Sequence, residues 1–272
     1  MPDKKLRMMA FGAHPDDCDL RCGGMAMKYR ALGHEVKFIS MTNGDTGHHE
    51  QGGGPLARRR YAETQASAAV ADIEYEVYDI HNGALEYNLF TRGLAIKSIR
   101  DFRPDIVICH RANDYHPDHR AVGEIIHAAI FQVTVPNVLA LTPELDAPPV
   151  LGYCYDYFTD PTPYVPSIAI DTDDVFERKI DMVHCHESQM YEWLVRTTES
   201  VPTEDAERRE WLGPHQYERF GQVADRFREV LVKWYGEERG GAIQTAETIM
   251  VSQYGRALPD EQVREVLPFV GE

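Results

Sequence analysis

Two clusters of imidazole and carboxylate side chains stand out in this chain of 272 residues. The first reads Ala-His-Pro-Asp-Asp over residues 13–17, and the second reads Asp-Tyr-His-Pro-Asp-His over residues 114–119. Imidazole nitrogen and carboxylate oxygen both bind divalent metal ions, and two histidines with one carboxylate and an open position are typical of catalytic zinc sites. The two clusters together therefore predict a single catalytic metal site.

The first cluster offers two ligands on one short turn. His14 and Asp17 lie three residues apart, and Pro15 between them fixes one backbone angle and stiffens the turn. A turn that is held in this way loses less freedom when the metal binds. A third ligand is needed from the second cluster, where His116 and His119 are both candidates.

The remaining polar groups of the two clusters suit the other steps of a hydrolysis. A bound metal lowers the pKa of its water to about 7, which makes hydroxide available at neutral pH. Asp16 stands next to a ligand and can act as the general base. His116 can stabilise an oxyanion or protonate a leaving group, and Asp118 can hold that imidazole in one orientation.

Both clusters follow apolar runs that are predicted to be strands, residues 6–13 and 105–110. Helical and strand-like segments alternate between these runs, which predicts an α/β, Rossmann-like fold with a mostly parallel sheet and helices on both faces. The ends of neighbouring parallel strands meet at one edge of such a sheet, where open α/β proteins bind their ligands. This placement would bring the two clusters together.

The later part of the chain is predicted to complete one domain, residues 1–272. Residues 1–135 form the sheet core with both motifs, and residues 136–272 supply later strands and a helical C-terminal part. From residue 203 onward the chain reads mainly as charged helix, notably over 216–235. Residues 48–55 are rich in glycine and predicted to be a mobile loop.

Composition narrows the class of protein. Hydrophobic residues make up 43% and charged residues 26%, as in ordinary globular proteins, and the formal charge of −16 argues against a nucleic-acid partner. There is no apolar run of about 18 residues for a membrane span, and the N-terminus lacks a signal peptide. Five scattered cysteines suit a reducing compartment. These features predict a cytoplasmic protein that acts on a small molecule.

In the order and spacing of its motifs, the sequence resembles the PIG-L/LmbE-like metal-dependent N-deacetylases. Their signature is Ala-His-Pro-Asp-Asp, then Gly-Gly in a helix, then His-Pro-Asp-His; the matching residues here are 13–17, 23–24 and 116–119. Residues 60–63, Arg-Tyr-Ala-Glu, resemble the Arg-x-x-Glu helix of the family. The resemblance extends over residues 6–190, and the paired motifs are specific for the family but much less specific for its substrates.

The resemblance implies a role for each matching residue. The metal ligands would be His14, Asp17 and His119, with Asp16 as the base and His116 as the group that polarises or protonates, supported by Asp118. The implied reaction removes an N-acyl group, commonly acetyl, from an amino-sugar-containing substrate. The implied cofactor is Zn²⁺, although Fe²⁺, Co²⁺ and Mn²⁺ also suit this donor set. Related enzymes often form homo-oligomers, so we expect one here.

Three further residues are candidates for substrate binding. Arg60 could clamp an anionic group or form a salt bridge with Glu63 on the same helix. Asp45 could bind sugar hydroxyls or cap a turn. Tyr115 precedes His116 and is predicted to line the pocket.

Other functions remain as alternatives. The same activated water would serve an amidase, an esterase or a phosphodiesterase, so only the products distinguish these enzymes. A non-catalytic carbohydrate-binding module would not need both a base and an acid. A nucleotide-binding Rossmann protein would carry Gly-x-Gly-x-x-Gly after the first strand, where this chain has carboxylates that would repel a pyrophosphate.

Overall fold

The computed structural model describes residues 5–195 and 200–272. Its central feature is a sheet of seven strands in the order β3-β2-β1-β4-β5-β7-β6. The strands are β1 Arg7–Gly12, β2 Glu35–Ser40, β3 Glu74–Val77, β4 Ile106–Cys109, β5 Val150–Cys154, β6 Ile168–Asp171 and β7 Ala246–Val251. Five neighbouring strands, from β3 to β5, run parallel, and β7 runs antiparallel to both β5 and β6.

Helices connect the strands and extend the C-terminal part. The α-helices are α1 Asp17–Ala31, α2 Gly53–Ala71, α3 Leu89–Phe102, α4 Pro117–Gln132, α5 Phe176–His184, α6 Asp205–Arg226, α7 Arg228–Tyr235, α8 Glu237–Ala242 and α9 Val263–Val266. Short 3₁₀ segments span Asp173–Val175 and Asp260–Gln262, and a π-helical turn spans Ser188–Trp193. None of the helices in the described ranges is long and apolar enough to cross a membrane.

The first strand is buried on both faces. Met8 and Ala10 belong to the hydrophobic cluster that packs on α1, whereas Met9 and Phe11 belong to the cluster on the opposite face with α3 and α4. Side chains alternate between the two faces of a strand, so an unbroken apolar run indicates helices on both sides. The predicted fold class, a mostly parallel sheet covered on both faces, is confirmed.

The connections reverse direction between β1 and β4. The chain leaves β1 toward β2 and β3 on one side, and it leaves β4 toward β5 on the other. Ligands of doubly wound sheets bind in the crevice that opens at such a switch point, beyond the carboxyl ends of the strands. The two polar clusters follow β1 and β4, so they meet at this crevice.

The strand β7 interrupts the C-terminal part, which was predicted to be mainly charged helix from residue 203 and does contain α6, α7, α8 and α9. It lies between β5 and β6 and carries Glu247, which is only 2% exposed. The carboxylate of Glu247 lies 2.5 Å from Lys179 Nζ and accepts the N–H groups of Gly24 and Met25, each at 2.8 Å. These partners lie far away in sequence, and only the fold makes Glu247 a paired buried charge.

The glycine-rich segment after β2 is held in place rather than free. His48 is 9% exposed, and its Nε2 lies 2.9 Å from Glu192 Oε2 in the π-helical turn. Gln189 Nε2 donates to the carbonyl of Gly47 at 2.9 Å. The segment predicted as a mobile loop is thus tied to the far wall of the crevice, and its last residues, from Gly53, begin α2.

Candidate metal centre and active-site cleft

The turn after β1 places the first cluster. Asp17 begins α1, and its Oδ2 accepts the backbone N–H groups of Ala13 at 3.0 Å and His14 at 2.8 Å. A Cβ on Gly12 would lie 2.8 Å from the Cβ of Asp17, closer than real side chains approach. Glycine at this position therefore lets the carboxylate fold back over the end of the strand.

The second cluster is positioned by the start of α4. His116 is its N-cap, and the ring Nδ1 accepts the N–H of Asp118 at 3.2 Å. Pro117 occupies the first helical position, which suits a residue without an N–H. His119 lies in the first turn of the same helix. Its Nδ1 is 3.1 Å from Asp114 Oδ2, so its Nε2 is left to face the first cluster.

Three potential ligand atoms come together between the clusters. His14 Nδ1 lies 3.2 Å from His119 Nε2 and 3.3 Å from Asp17 Oδ2, and His119 Nε2 lies 3.4 Å from Asp17 Oδ2. Four ligands at about 2.05 Å from a tetrahedral zinc ion are about 3.3 Å apart. The triangle formed by His14, Asp17 and His119 therefore fits one face of a tetrahedral site.

A fourth donor was missed by the sequence analysis, although it directly follows β4. His110 Nε2 is buried 3.3 Å from Asp17 Oδ2 and has no hydrogen-bond partner among the described residues. Asp17, His110 and His119 could thus also hold an ion. The rings of His110 and His119 are stacked, however, with centroids 4.1 Å apart and planes at 9°.

Ring orientation distinguishes the two ligand sets. An imidazole lone pair lies in the plane of its ring, so two nearly parallel stacked rings cannot both direct a lone pair at one ion. The rings of His14 and His119 meet at 48°, and their planes can intersect at an ion. Geometry therefore favours His14 over His110 as the second imidazole ligand.

Asp118 has a different partner from the one expected. Its carboxylate accepts the N–H groups of Gly83 at 2.6 Å and Leu85 at 3.2 Å, and its Oδ2 lies 3.3 Å from His14 Nε2. The predicted contact with the imidazole of His116 is absent, because that ring bonds to the backbone of Asp118 as a helix cap. Asp118 instead contacts Nε2 of His14, which leaves Nδ1 free to face a metal ion if one binds there.

Asp16 lies at the entrance of the same crevice. It is 7% exposed, and its Oδ1 lies 3.1 Å from Nη2 of Arg60, which is 2% exposed. The alternative pair of Arg60 with Glu63 does not form, since Glu63 accepts the N–H and hydroxyl of Ser188. Arg60 holds the carboxylate of Asp16 in position rather than reaching freely for a substrate.

The two other candidates for substrate binding lie in different places, one outside the cleft and one at its rim. Asp45 is buried, and its carboxylate lies 2.8 Å from His81 Nδ1 and accepts the N–H of Asn82 at 3.0 Å. It therefore anchors the loop after β3 and does not line the cleft. Tyr115, in contrast, is 69% exposed at the rim, with its ring against those of His116 and Phe158.

A cleft of about 520 Å³ opens above the cluster. His14, Asp16, Asp17, His116 and His119 lie along it. Its walls contain the aromatic side chains of Tyr115, Tyr157, Phe158 and Trp193. The guanidinium groups of Arg21 and Arg219, which the sequence analysis did not select for the site, also line it. Aromatic walls with convergent polar groups are typical of small-molecule sites.

Opposite pKa shifts mark the two stacked histidines. Burial alone would lower the pKa of His119, but the carboxylates of Asp17 and Asp114 outweigh it and raise the pKa to about 10. Burial, followed by the positive charge of His119, lowers the pKa of His110 to about 4. Without metal, His119 is therefore cationic and His110 neutral at neutral pH.

The raised pKa of His119 predicts how the metal-free protein responds to pH. The ordinary value is 6.5, so the stabilisation is fully present below pH 6.5 and is lost as the pH rises to about 10. We expect the thermal midpoint of chelator-treated protein to fall by several degrees across this window. The His119→Gln variant should show a flatter profile, whereas His127→Gln should follow the wild type; parallel wild-type and His119→Gln profiles would contradict the assignment.

Comparison with known proteins gives a match to a family and to a relative with 30% sequence identity. Residues 9–130 match the PIG-L family, described as GlcNAc-PI de-N-acetylase. Diacetylchitobiose deacetylase of Thermococcus kodakarensis is 30% identical over 194 residues, which cover 68% of this chain and 71% of the relative. The matched region of the family includes both polar clusters.

Two solved structures share the fold. N,N'-diacetylchitobiose deacetylase of Pyrococcus horikoshii superposes with a TM-score of 0.70 at 20% identity, covering 91% of this chain and 84% of that one. GalB, the 4-carboxy-2-hydroxymuconate hydratase of Pseudomonas putida, superposes with a TM-score of 0.72 at 16% identity, covering 94% and 99%. At these identities the structures establish the architecture and leave the chemistry to the site.

Proposed function

Because this chain belongs to the PIG-L family of de-N-acetylases, we propose that it is a metal-dependent hydrolase that removes an N-acyl group from an amino-sugar-containing substrate. The observation that carries the proposal is the triangle of His14, Asp17 and His119, with Asp16 beside it at the entrance. A hydrolase needs a metal site and a separate base in one cleft, and this arrangement offers both.

The substrate class follows from what the family and the relative have in common. The family description names a GlcNAc conjugate, and the relative from Thermococcus kodakarensis is named for diacetylchitobiose. Both names describe an N-acetylated glucosamine joined to a further group. We assign to this chain a substrate of the same class, with acetate and a free amine as products.

The proposed metal ligands are His14, Asp17 and His119, with zinc as the proposed ion, because their spacing fits a tetrahedral zinc site. When bound, a divalent ion lowers the pKa of a water ligand to about 7 and polarises a carbonyl oxygen. Fe²⁺, Co²⁺ and Mn²⁺ accept the same donor set. Asp118 supports the set by holding His14 through Nε2, and Asp114 does the same for His119 through Nδ1.

Asp16 is the proposed general base. Its carboxylate would take a proton from the attacking water and pass it to the amine that leaves. The ion pair with Arg60 at 3.1 Å fixes the position of the carboxylate. This pairing also explains why an arginine is buried beside Asp16 in the lining of the cleft.

His116 is proposed to donate a hydrogen bond to the oxygen of the scissile carbonyl. Its Nδ1 accepts the N–H of Asp118, so the ring proton of the neutral form lies on Nε2. Burial, followed by the charges of His14 and His119, lowers the pKa of His116 and favours this neutral form. A neutral imidazole that is locked by a helix cap is a pre-oriented donor for a developing oxyanion.

The activity is tested by product analysis on a panel of N-acetylglucosamine glycosides, with free amine and acetate quantified separately. We expect amine and acetate in equal amounts, loss of activity with a chelator, and recovery when zinc is added back. Mass spectrometry of the purified protein would identify the native ion. Absence of amine release from the whole panel by protein that carries one ion per chain would overturn the proposal, and ester or phosphodiester cleavage would redirect it.

A further inference from the structure

Two arginines from distant parts of the chain line the same side of the cleft. Arg21 lies on α1, one helical turn after Asp17, and Arg219 lies on α6. A second, smaller cavity between α1 and α6 is also lined by both. The two guanidinium groups thus share one environment beside the proposed metal centre.

No carboxylate pairs with either arginine within the described ranges. Arg21 Nη1 donates to the carbonyl of Tyr155 at 2.9 Å, and the guanidinium of Arg219 has only a distant ring contact, 6.0 Å from the centroid of Phe220. The nearby acids are already engaged. Asp16 pairs with Arg60 and Glu247 with Lys179. Asp17 lies against the imidazoles of His14, His110 and His119.

An unpaired arginine pair is unexpected in so acidic a protein. The chain has 44 aspartate and glutamate residues but only 28 lysine and arginine residues, so carboxylate partners are plentiful. The third arginine of the cleft, Arg60, does have such a partner in Asp16. Asp16 and Asp17 act on Arg219 only from beyond ion-pair distance, so a directly bonded partner for Arg21 and Arg219 is left for a ligand to supply.

The electrostatics of the pair agree with this interpretation. Burial, followed by the positive charge of Arg21, lowers the pKa of Arg219 to about 10. Two like charges in a partly desolvated cleft destabilise the free protein. An anion that sits between them would remove the repulsion and form charge-assisted hydrogen bonds with both guanidinium groups.

We propose that Arg21 and Arg219 form a subsite for an anionic substituent, a carboxylate or a phosphate, on the group that is attached to the amino sugar. This inference rests on the proposed function, because it places the acyl group at the metal and the remainder of the substrate along the cleft. The aromatic wall of Tyr157 and Phe158 bounds the same cleft. The preferred substrates would be acidic conjugates of an N-acetylated amino sugar.

The test compares three small substrates with the metal-loaded enzyme: the ethyl glycoside of N-acetylglucosamine, its carboxymethyl glycoside, and N-acetylglucosamine 1-phosphate. The measured quantity is the ratio of kcat/KM for each anionic substrate to kcat/KM for the neutral one. This ratio cancels differences in folding or metal content between variants. The two anionic substrates distinguish a carboxylate from a phosphate.

We expect the wild type to prefer at least one anionic substrate. Arg21→Gln and Arg219→Gln should each reduce that ratio about tenfold or more, the size of a lost hydrogen bond to a charged group. The matched control is Arg178→Gln, because Arg178 is exposed and, like Arg21, donates to a backbone carbonyl, that of Val70. That variant should keep the wild-type ratio.

Thermal shift with malonate and with inorganic phosphate gives a second readout that needs no turnover. Either anion should raise the thermal midpoint of the wild type and of Arg178→Gln more than that of the Arg21→Gln/Arg219→Gln double variant. Equal ratios in all variants and equal shifts would overturn the subsite, while amine release from the neutral glycoside would leave the proposed function intact. Absence of amine release with normal anion shifts would instead overturn the function and keep the anion site.

Discussion

Replacing Asp16 by asparagine is expected to lower kcat by about 10²- to 10⁴-fold, the range for loss of a general base. The amide of asparagine cannot take a proton from the attacking water, yet it keeps the size and position of the carboxylate. Asp16 is outside the proposed ligand triangle, so the bound metal should remain near one ion per chain. Steady-state kinetics and metal analysis on the same preparation would measure both quantities.

The matched control is Asp171→Asn. Asp171 is also 7% exposed and also pairs with an arginine, since its Oδ2 lies 3.0 Å from Arg239 Nη2, but it lies at the end of β6 and outside the cleft. Its replacement tests the effect of losing a half-buried ion pair without touching the site. Turnover close to that of the wild type in Asp16→Asn would exclude this residue as the base, and loss of metal there would indicate a ligand role instead.

The positions of the two polar clusters could be predicted because they depend on local pattern. Alternating strands and helices predict a parallel sheet, and residues that directly follow β1 and β4 then share one edge. The strand β7 could not be found in this way, because Glu247 near its start is stabilised by Lys179 from α5 and by backbone groups of α1. The sequence does not distinguish a buried glutamate from an exposed one, and only the fold identifies the partner of the buried charge.

Within the site, the residue types were informative but their pairings were not. Asp118 was expected behind His116, whereas its carboxylate contacts His14 and the loop after β3. Helix geometry explains the difference, because the ring of the N-cap residue turns toward the backbone of its own first turn. Arg219 carries no motif at all, and it reaches the cleft only because α6 packs against α5 and β7.

The direction of a ring likewise cannot be read from sequence. His110 directly follows β4 and lies beside Asp17, which makes it as good a candidate by position as His14. Only the stacking of His110 on His119 separates the two.

The division into one domain and the expected homo-oligomer remain predictions.

Loss of a metal ligand should have the other large effect. We expect His119→Ala and His14→Ala to lose most of the bound metal and to lower kcat by at least about 10³-fold, because the water would return toward its unperturbed pKa. His110→Ala should retain the ion, since its lone pair and that of His119 lie in nearly parallel planes. Metal analysis after gel filtration, together with kinetics at saturating substrate, would compare the three variants.

The comparison between His14→Ala and His110→Ala decides which imidazole completes the ligand set. His127→Ala is the control for loss of a histidine from α4, because His127 is half-buried against Tyr254, with ring centroids 3.9 Å apart, and lies outside the cleft. It should bind metal as the wild type does. Loss of metal in His110→Ala with retention in His14→Ala would replace His14 by His110 among the proposed ligands. The contact of Asp118 with His14 would then not orient a metal ligand. Among the histidines that face the metal site in the described part of the chain, Asp118 contacts only His14.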